Sequence, residues 1–255
     1  MLRRSGVDYA DYSGADLNFV IGCTPVSTGC ANCYCREMLE KRGRDPSIVT
    51  LYPDKLRRLR RAMFSRKGKP FRRGPGSRPL AFPVDMGDLF HEDVPDDFIL
   101  EAHDIMTHRP DVDWLVLTKR ARRMAALTIK HQLAWPPHIW PGVSIENNAE
   151  AWRLQDVIGL GATTPWVSYA PLLEAIQPVF YHWLAGISWI VIEGESGSHR
   201  RPFEKQWAED LYRFAHPRQI PVFFKQGSAY RPGGDNELYG RVIHEYPSVL
   251  YDPIP

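Results

Sequence analysis

All four cysteines of this chain fall between positions 23 and 35, in the stretch Gly22-Cys23-Thr-Pro-Val-Ser-Thr-Gly-Cys30-Ala-Asn-Cys33-Tyr34-Cys35. A disulfide framework spreads its cysteines to close long loops, and intracellular chains rarely keep disulfides. Thiols gathered into thirteen positions suit a metal or iron–sulfur centre instead. A closed tetrahedral zinc site draws on two separated ligand pairs. Here no second pair follows nearby, and the next histidine is His91. Three thiolates from one loop would hold a [4Fe–4S] cluster and leave its fourth iron open to a substrate or cofactor. The spacing Cys23-x6-Cys30-x2-Cys33 favours that reading, with Cys35 as a spare thiol. Zinc ligation, and thiols that are unligated or redox-active, stay open.

A second set of polar residues recurs just after apolar runs. Asp85, Asp88 and His91 follow the run at 79–84, and Lys119 follows 113–117. Ser144, Glu146 and Asn147 close 139–144, Glu193, Gly194 and Glu195 follow 187–192, and Lys225 follows 220–224. These runs, with 17–22 and 164–169, read as seven short strands, several of them apolar on both faces as buried parallel strands are. Helices are predicted over 34–42, 97–107, 120–128, 149–157 and 202–215, the second opened by Asp96 and Asp97 as the helix dipole prefers. Alternating strands and helices predict an α/β fold, a single-domain partial (β/α) barrel. The polar residues would then gather at the C-terminal rim of its strands, where such folds place their chemistry.

Charge is distributed unevenly. Eleven of the 32 basic residues lie at 55–78, a segment without Asp or Glu, so the rest of the chain has 21 basic and 30 acidic residues. A basic block of this kind, a predicted insertion, reads as a docking element for a polyanion. Within it Arg66, Lys67, Lys69, Arg72, Arg73 and Arg78 are the candidate nucleic-acid contacts. A hydrophobic fraction of 44% and a charged fraction of 24% over 255 residues exclude a mainly disordered chain, a coiled coil and a collagen-like chain. No apolar run is long enough for a transmembrane helix, and the polar stretch 1–14 lacks the core of a signal peptide. The expectation is a cytoplasmic protein with no membrane partner.

The cysteine stretch, with Asp85-Met-Gly-Asp88-Leu-Phe-His91-Glu-Asp-Val-Pro95, Val116-Leu-Thr-Lys119-Arg120, Gly142-Val-Ser144-Ile-Glu146-Asn147, Glu193-Gly-Glu195-Ser196-Gly197 and Phe223-Phe-Lys225-Gln226, resembles a phage and prophage family known only as a domain of unknown function. That family in turn resembles radical S-adenosylmethionine (SAM) enzymes, partial (β/α) barrels with three cysteines after the first strand, usually spaced C-x3-C-x2-C. The first gap here is longer. Ala170 stands where the family has Glu, Cys35 where it has Ala, and Gly227 where it has Trp.

The resemblance implies a bacterial-host, phage-encoded enzyme with Cys23, Cys30 and Cys33 on a [4Fe–4S] cluster. Reduction of bound SAM by an external electron donor would yield a 5′-deoxyadenosyl radical. Tyr34, Ser144, Glu146, Asn147, Glu193 and Gly194 are the expected cofactor contacts. Lys119, Glu195 and Lys225 are the candidates at the reacting group. DNA or a modified nucleotide is the expected substrate, because phage genomes carry modified bases. Two other classes stay in view. One is a zinc-stabilised nucleic-acid-binding protein. The other is a hydrolase or nuclease holding divalent ions with Asp85, Asp88, Glu193 and Glu195.

Overall fold

The structure is a computed structural model that describes residues 9–14, 16–64, 71–74 and 77–247. Strand β1 (Val20–Ile21) pairs antiparallel with β2 (Thr50–Leu51), and helix α1 (Tyr34–Glu40) lies between them in the chain. The predicted first barrel strand is therefore not in the main sheet. The place beside the sheet's first strand is taken by the segment before it. Tyr12 bridges Ala81 in parallel, and its carbonyl accepts the amide of Phe82 at 2.8 Å.

Helix α2 (Pro53–Arg58) follows β2, with Pro53 at its first position, where the missing N–H costs nothing. It lies inside the basic segment and is absent from the predicted elements. Leu56 and Leu59, three residues apart, are fully buried in the core. The basic residues beside them turn outward, and Arg57 and Arg60 pair with Glu101 and Asp104 at 3.2 Å.

The main sheet holds six parallel strands side by side in chain order. They are β3 (Leu80–Ala81), β4 (Asp113–Thr118), β5 (Ile139–Ser144), β6 (Trp166–Tyr169), β7 (Trp189–Glu193) and β8 (Val222–Gln226). The crossovers carry α3 (Asp96–Thr107), α4 (Ala121–His131), α5 (Arg153–Ile158), α6 (Tyr181–Leu184) and α7 (Lys205–Ala215). The predicted helix at 149–157 is broken into a 3-10 turn, Asn148–Glu150, and α5. A short antiparallel pair, β9 (Glu237–Leu238) with β10 (Arg241–Val242), ends the described chain. The sheet curls into a half-barrel, confirming the expected α/β class.

Alternation along the strands separates two cores. The outer faces, with Trp114, Val143, Val167, Ile190 and Phe224, pack under the helices. Each long helix offers a matching stripe, such as Phe98, Ile99, Ala102, Ile105 and Met106 on α3. The inner face is floored by Trp140, Trp166, Trp189 and Phe223, with Tyr9 edge-on to Trp166, Trp189 and Phe223. Each indole N–H on this floor reaches a backbone carbonyl at 2.9 Å, on Pro137, Trp140 and Glu245 respectively, as buried tryptophans require. Gly142 makes the floor possible: a Cβ there would lie 2.3 Å from the Trp166 indole. Above the floor, toward the C-terminal rim, the same face turns polar through Ser144, Ser168, Glu193 and Lys225.

Candidate active site

The cysteine loop leaves β1 at Gly22, which has φ 98°. A Cβ there would lie 2.2 Å from the Ile48 carbonyl oxygen, so only glycine makes this turn. Cys23 follows, half-buried, its amide donating to Pro46 O at 2.8 Å. Cys30 is buried at the end of a 3-10 turn, Thr28–Cys30, and Cys33 caps the N-terminus of α1. All four thiols are free.

Their environments differ. The Cys33 thiol is lowered to about 6, first by the hydrogen bond from Cys35, then by the amides of Arg36 and Cys35 and the charge of Lys119, which together outweigh burial. Cys23 is pushed up to about 11 by burial and by Asp88, against the pull of Arg120. Cys35 is raised by its bond to Cys33 and by burial, and its Sγ lies 3.1 Å from Met86 O.

Three clamps hold the loop on the rim. At the end of β4, Arg120 donates to Cys23 Sγ and Asp88 Oδ2, each at 3.3 Å, to Thr24 O at 3.1 Å and to Glu92 at 2.8 Å. Asp88 is saturated, accepting also from Thr118 Oγ1 at 2.7 Å and the Lys119 amide at 3.1 Å. His91 joins this clamp. Its Nδ1 lies 3.1 Å from the Asp93 amide, and its Nε2 lies 2.8 Å from Thr24 Oγ1 and 3.3 Å from the Thr24 amide; burial and the nearby Arg120 charge lower its pKa.

After β5, the fully buried Glu146 pairs with Lys119 and, at 3.1 Å, with Arg153. It lies so close under the loop that a Cβ on Gly29 would sit 2.1 Å from its Cγ. Asn147 donates to Thr28 Oγ1 at 2.8 Å. After β7, Glu195 takes Arg201 Nη2 at 2.5 Å and Asn32 Nδ2 at 3.0 Å, while Arg201 Nη1 reaches Thr28 O at 2.9 Å.

The half-barrel thus brings the predicted rim residues together and changes several roles. Glu146, Asn147 and Glu195 all bond to groups that hold the loop, Glu146 without exposure, whereas Asn147 stays half-buried with its Oδ1 unpartnered. Gly194 admits the backbone of Gly227 and Ser228, 2.6 and 2.7 Å from where a Cβ would be. The Tyr34 hydroxyl turns in to Asp85 O while the ring stays half exposed. Ser144 is buried on the inner face. Glu193 and Lys225 pair at 2.6 Å on the same face and remain partly open. Arg153, Arg201 and Asn32 were not foreseen: they lie on a helix and two loops, outside any spacing pattern, and only the saturation of buried Glu146 and Glu195 reveals them.

Among the described residues, no three His, Cys, Asp or Glu side chains are gathered at metal-holding geometry, the thiols included. The four carboxylates of the divalent-metal reading do not share a centre. Asp85 takes Asn18 at 2.5 Å, and Asp88, Glu193 and Glu195 answer to Arg120, Lys225 and Arg201.

The basic loop is corrected where it is described. Arg73 and Arg78 both face Asp113, which is fully buried at the first residue of β4, and Arg73 lies over the Trp140 ring at 5.1 Å. Arg72 Nε donates to Ala10 O at 2.8 Å. These three arginines stand at the N-terminal end of the strands, opposite the rim; Arg73 and Arg78 serve a buried carboxylate, whereas Arg72 is exposed. Arg66, Lys67 and Lys69 lie outside the described residues.

Fold and site together define an α/β half-barrel with a thiol-bearing loop clamped on its C-terminal rim. Solved structures share the fold. A Tyr-to-Phe mutant of spore photoproduct lyase matches at TM-score 0.54 and 11% identity, over 91% of this chain and 79% of that one. A Cys-to-Ser mutant of the lyase matches at TM-score 0.51 and 12% identity over the same shares. A double mutant with bound AdoMet and dinucleoside spore photoproduct matches at TM-score 0.50 and 13% identity. In that pairing this chain contributes 84% of its length and spans 63% of the lyase, as it does for the first lyase complex compared. The chain belongs to the family described as "Protein of unknown function (DUF5131)", whose family model matches residues 5–247. No curated protein matches.

Proposed function

We propose that this protein is a radical SAM enzyme whose Cys23, Cys30 and Cys33 hold a [4Fe–4S] cluster and whose substrate is a nucleobase-containing compound. The observation that carries the reading is the thiol loop itself: three free thiols on one loop, fastened by three polar clamps at the rim where a parallel barrel places its chemistry. The donor set fits the cluster in kind. Sulfur is the ligand such clusters take, the Cys33 thiol is lowered by its bond from Cys35, and Arg120 and Lys119 supply positive charge beside thiols that must ionise to bind metal. When bound, a reduced cluster supplies the electron that splits SAM into methionine and an adenosyl radical able to abstract hydrogen from carbon. The chain's own part is to bind, orient and exclude water. The clamps fix the loop, the aromatic floor closes the barrel from below, and Ser144, Glu193, Lys119 and Lys225 present polar groups above it. A fold relative with bound AdoMet and a dinucleoside supports the cofactor and the substrate class.

Anaerobic reconstitution tests the reading. About four irons and four sulfides per chain are expected, lost in Cys23→Ala, Cys30→Ala or Cys33→Ala and kept in Cys35→Ala. With dithionite, the reconstituted protein should release 5′-deoxyadenosine from SAM. Stoichiometric zinc without labile sulfide would overturn the proposal.

A further inference from the structure

Most carboxylates at the rim are saturated. Asp88 accepts from four groups, Glu195 is shared by Arg201 and Asn32, and Glu146 is shared by Arg153 and Lys119 without exposure. Glu193 differs. Its Oε1 pairs with Lys225 Nζ at 2.6 Å. Among the described residues its Oε2 has no partner, and Lys225 Nζ uses one of its three donors. The pair is also reachable, with 22% of the Glu193 side chain and 15% of Lys225 exposed, while Val191, Ile192 and Gln226 around them are closed. The ladder is irregular at this point. Ile192 pairs with Phe224, but Glu193 pairs with Gln226, so Lys225 is the extra residue of a bulge. Bulges beside active sites re-aim side chains, and this one falls on the inner face above the aromatic floor. On the neighbouring strand Ser168, in register with Val191, is fully buried with its hydroxyl unpartnered, which marks the same face as polar beyond its internal needs.

We infer that Glu193 and Lys225 read the substrate, accepting an N–H and donating to the adjacent carbonyl of a cyclic amide or imide, the edge that a uracil- or thymine-type base presents. A carboxylate oxygen and an ammonium side by side form an acceptor–donor couple, and a lactam edge is its complement. This rests on the nucleobase reading above and adds which residues recognise the base and by which edge. It also replaces the expectation that Glu193 contacts the cofactor.

The test is a calorimetric titration of 2′-deoxyuridine and its N3-methyl derivative into the chain, as isolated and after anaerobic reconstitution with SAM. N3-methylation removes the N–H donor without touching the protein, so no folding defect can imitate its effect. N3-methylation should weaken binding about ten-fold or more, the loss of one hydrogen bond to a charged group. Glu193→Gln and Lys225→Met should weaken binding of the unmethylated nucleoside similarly, and methylation should matter less in Glu193→Gln. Equal affinity for the two nucleosides, variants that bind like wild type, or no binding of either nucleoside would each overturn the inference. A chain that takes up no iron and sulfide yet still discriminates the nucleosides would sink the radical reading and leave this one standing. A chain that reconstitutes and cleaves SAM without discriminating would do the reverse.

Discussion

Cys33 and Cys23 lie ten residues apart on one loop, and their surroundings push them in opposite directions. Cys33 stands at a helix N-terminus, takes a hydrogen bond from Cys35 and is lowered to about 6. Cys23 is raised to about 11 by burial and by the facing Asp88. A thiolate is the nucleophile, and its population rises as pH passes the group's own pKa. At pH 7, therefore, Cys33 is mostly ionised and Cys23 almost wholly protonated. In metal-free protein, iodoacetamide at pH 7 should label Cys33 first, with Cys23 and Cys35 following slowly. Peptide mass mapping over a time course reads the order, and prior labelling of Cys23 would refute the assigned environments. Spacing alone treats the three thiols as equivalent; the difference arises from the bond of Cys35 to Cys33 and the amides of the first helical turn, and from the burial of Cys23 beside the distant Asp88.

At the scale of the element, the cysteine loop depends on two glycines for different reasons. Gly22 needs a left-handed turn against the Ile48 carbonyl, and Gly29 needs room for Glu146. Glu146 cannot swing aside, because Arg153 and Lys119 hold it in a buried position. Gly22→Ala and Gly29→Ala should each destabilise the protein by about 1–3 kcal/mol and lower the iron taken up on reconstitution. Gly43, at φ 67° with open space around it, is the control: Gly43→Ala should cost about 1 kcal/mol and leave iron uptake unchanged. Urea denaturation and iron analysis of the three variants separate loop geometry from general strain. If Gly43→Ala lost as much iron as the others, the loop would not be the cause.

The whole molecule places its charges at opposite ends of the half-barrel. The rim carries the clamped thiols, and the base carries Asp113 between Arg73 and Arg78. Removing one partner of a buried ion pair costs up to about 3–5 kcal/mol, and without Arg73 the buried Asp113 keeps only the longer contact of Arg78 at 3.7 Å from this pair of arginines. Arg73→Ala should therefore lower the urea midpoint strongly. If the protein binds DNA, the salt dependence of that binding should be the same in Arg73→Ala and wild type, because counterion release counts only arginines that meet phosphates. A slope reduced by about one unit would return Arg73 to a DNA-binding role.

Strand and helix runs such as 139–144 and 97–107 were legible in the sequence because apolar periodicity is local chemistry: each run must bury its own faces whatever its neighbours are. The clustering of the thiols, and the polar residues at the strand ends, were legible for the same reason. Pairing was not. The run at 17–22 has a strand's composition, but whether it joins the sheet depended on Tyr12 already standing beside Ala81. The arginines at 57, 60, 73 and 78 look alike as a charge run, yet helices and strands many residues away give the first two to surface acids and the last two to one buried acid. Glu193 and Glu195 are two positions apart with the same side chain. Only the tertiary structure saturates one with Arg201 and leaves the other with an oxygen to spare, because a hydrogen bond depends on what the fold brings within about 3 Å, and sequence spacing does not record that distance.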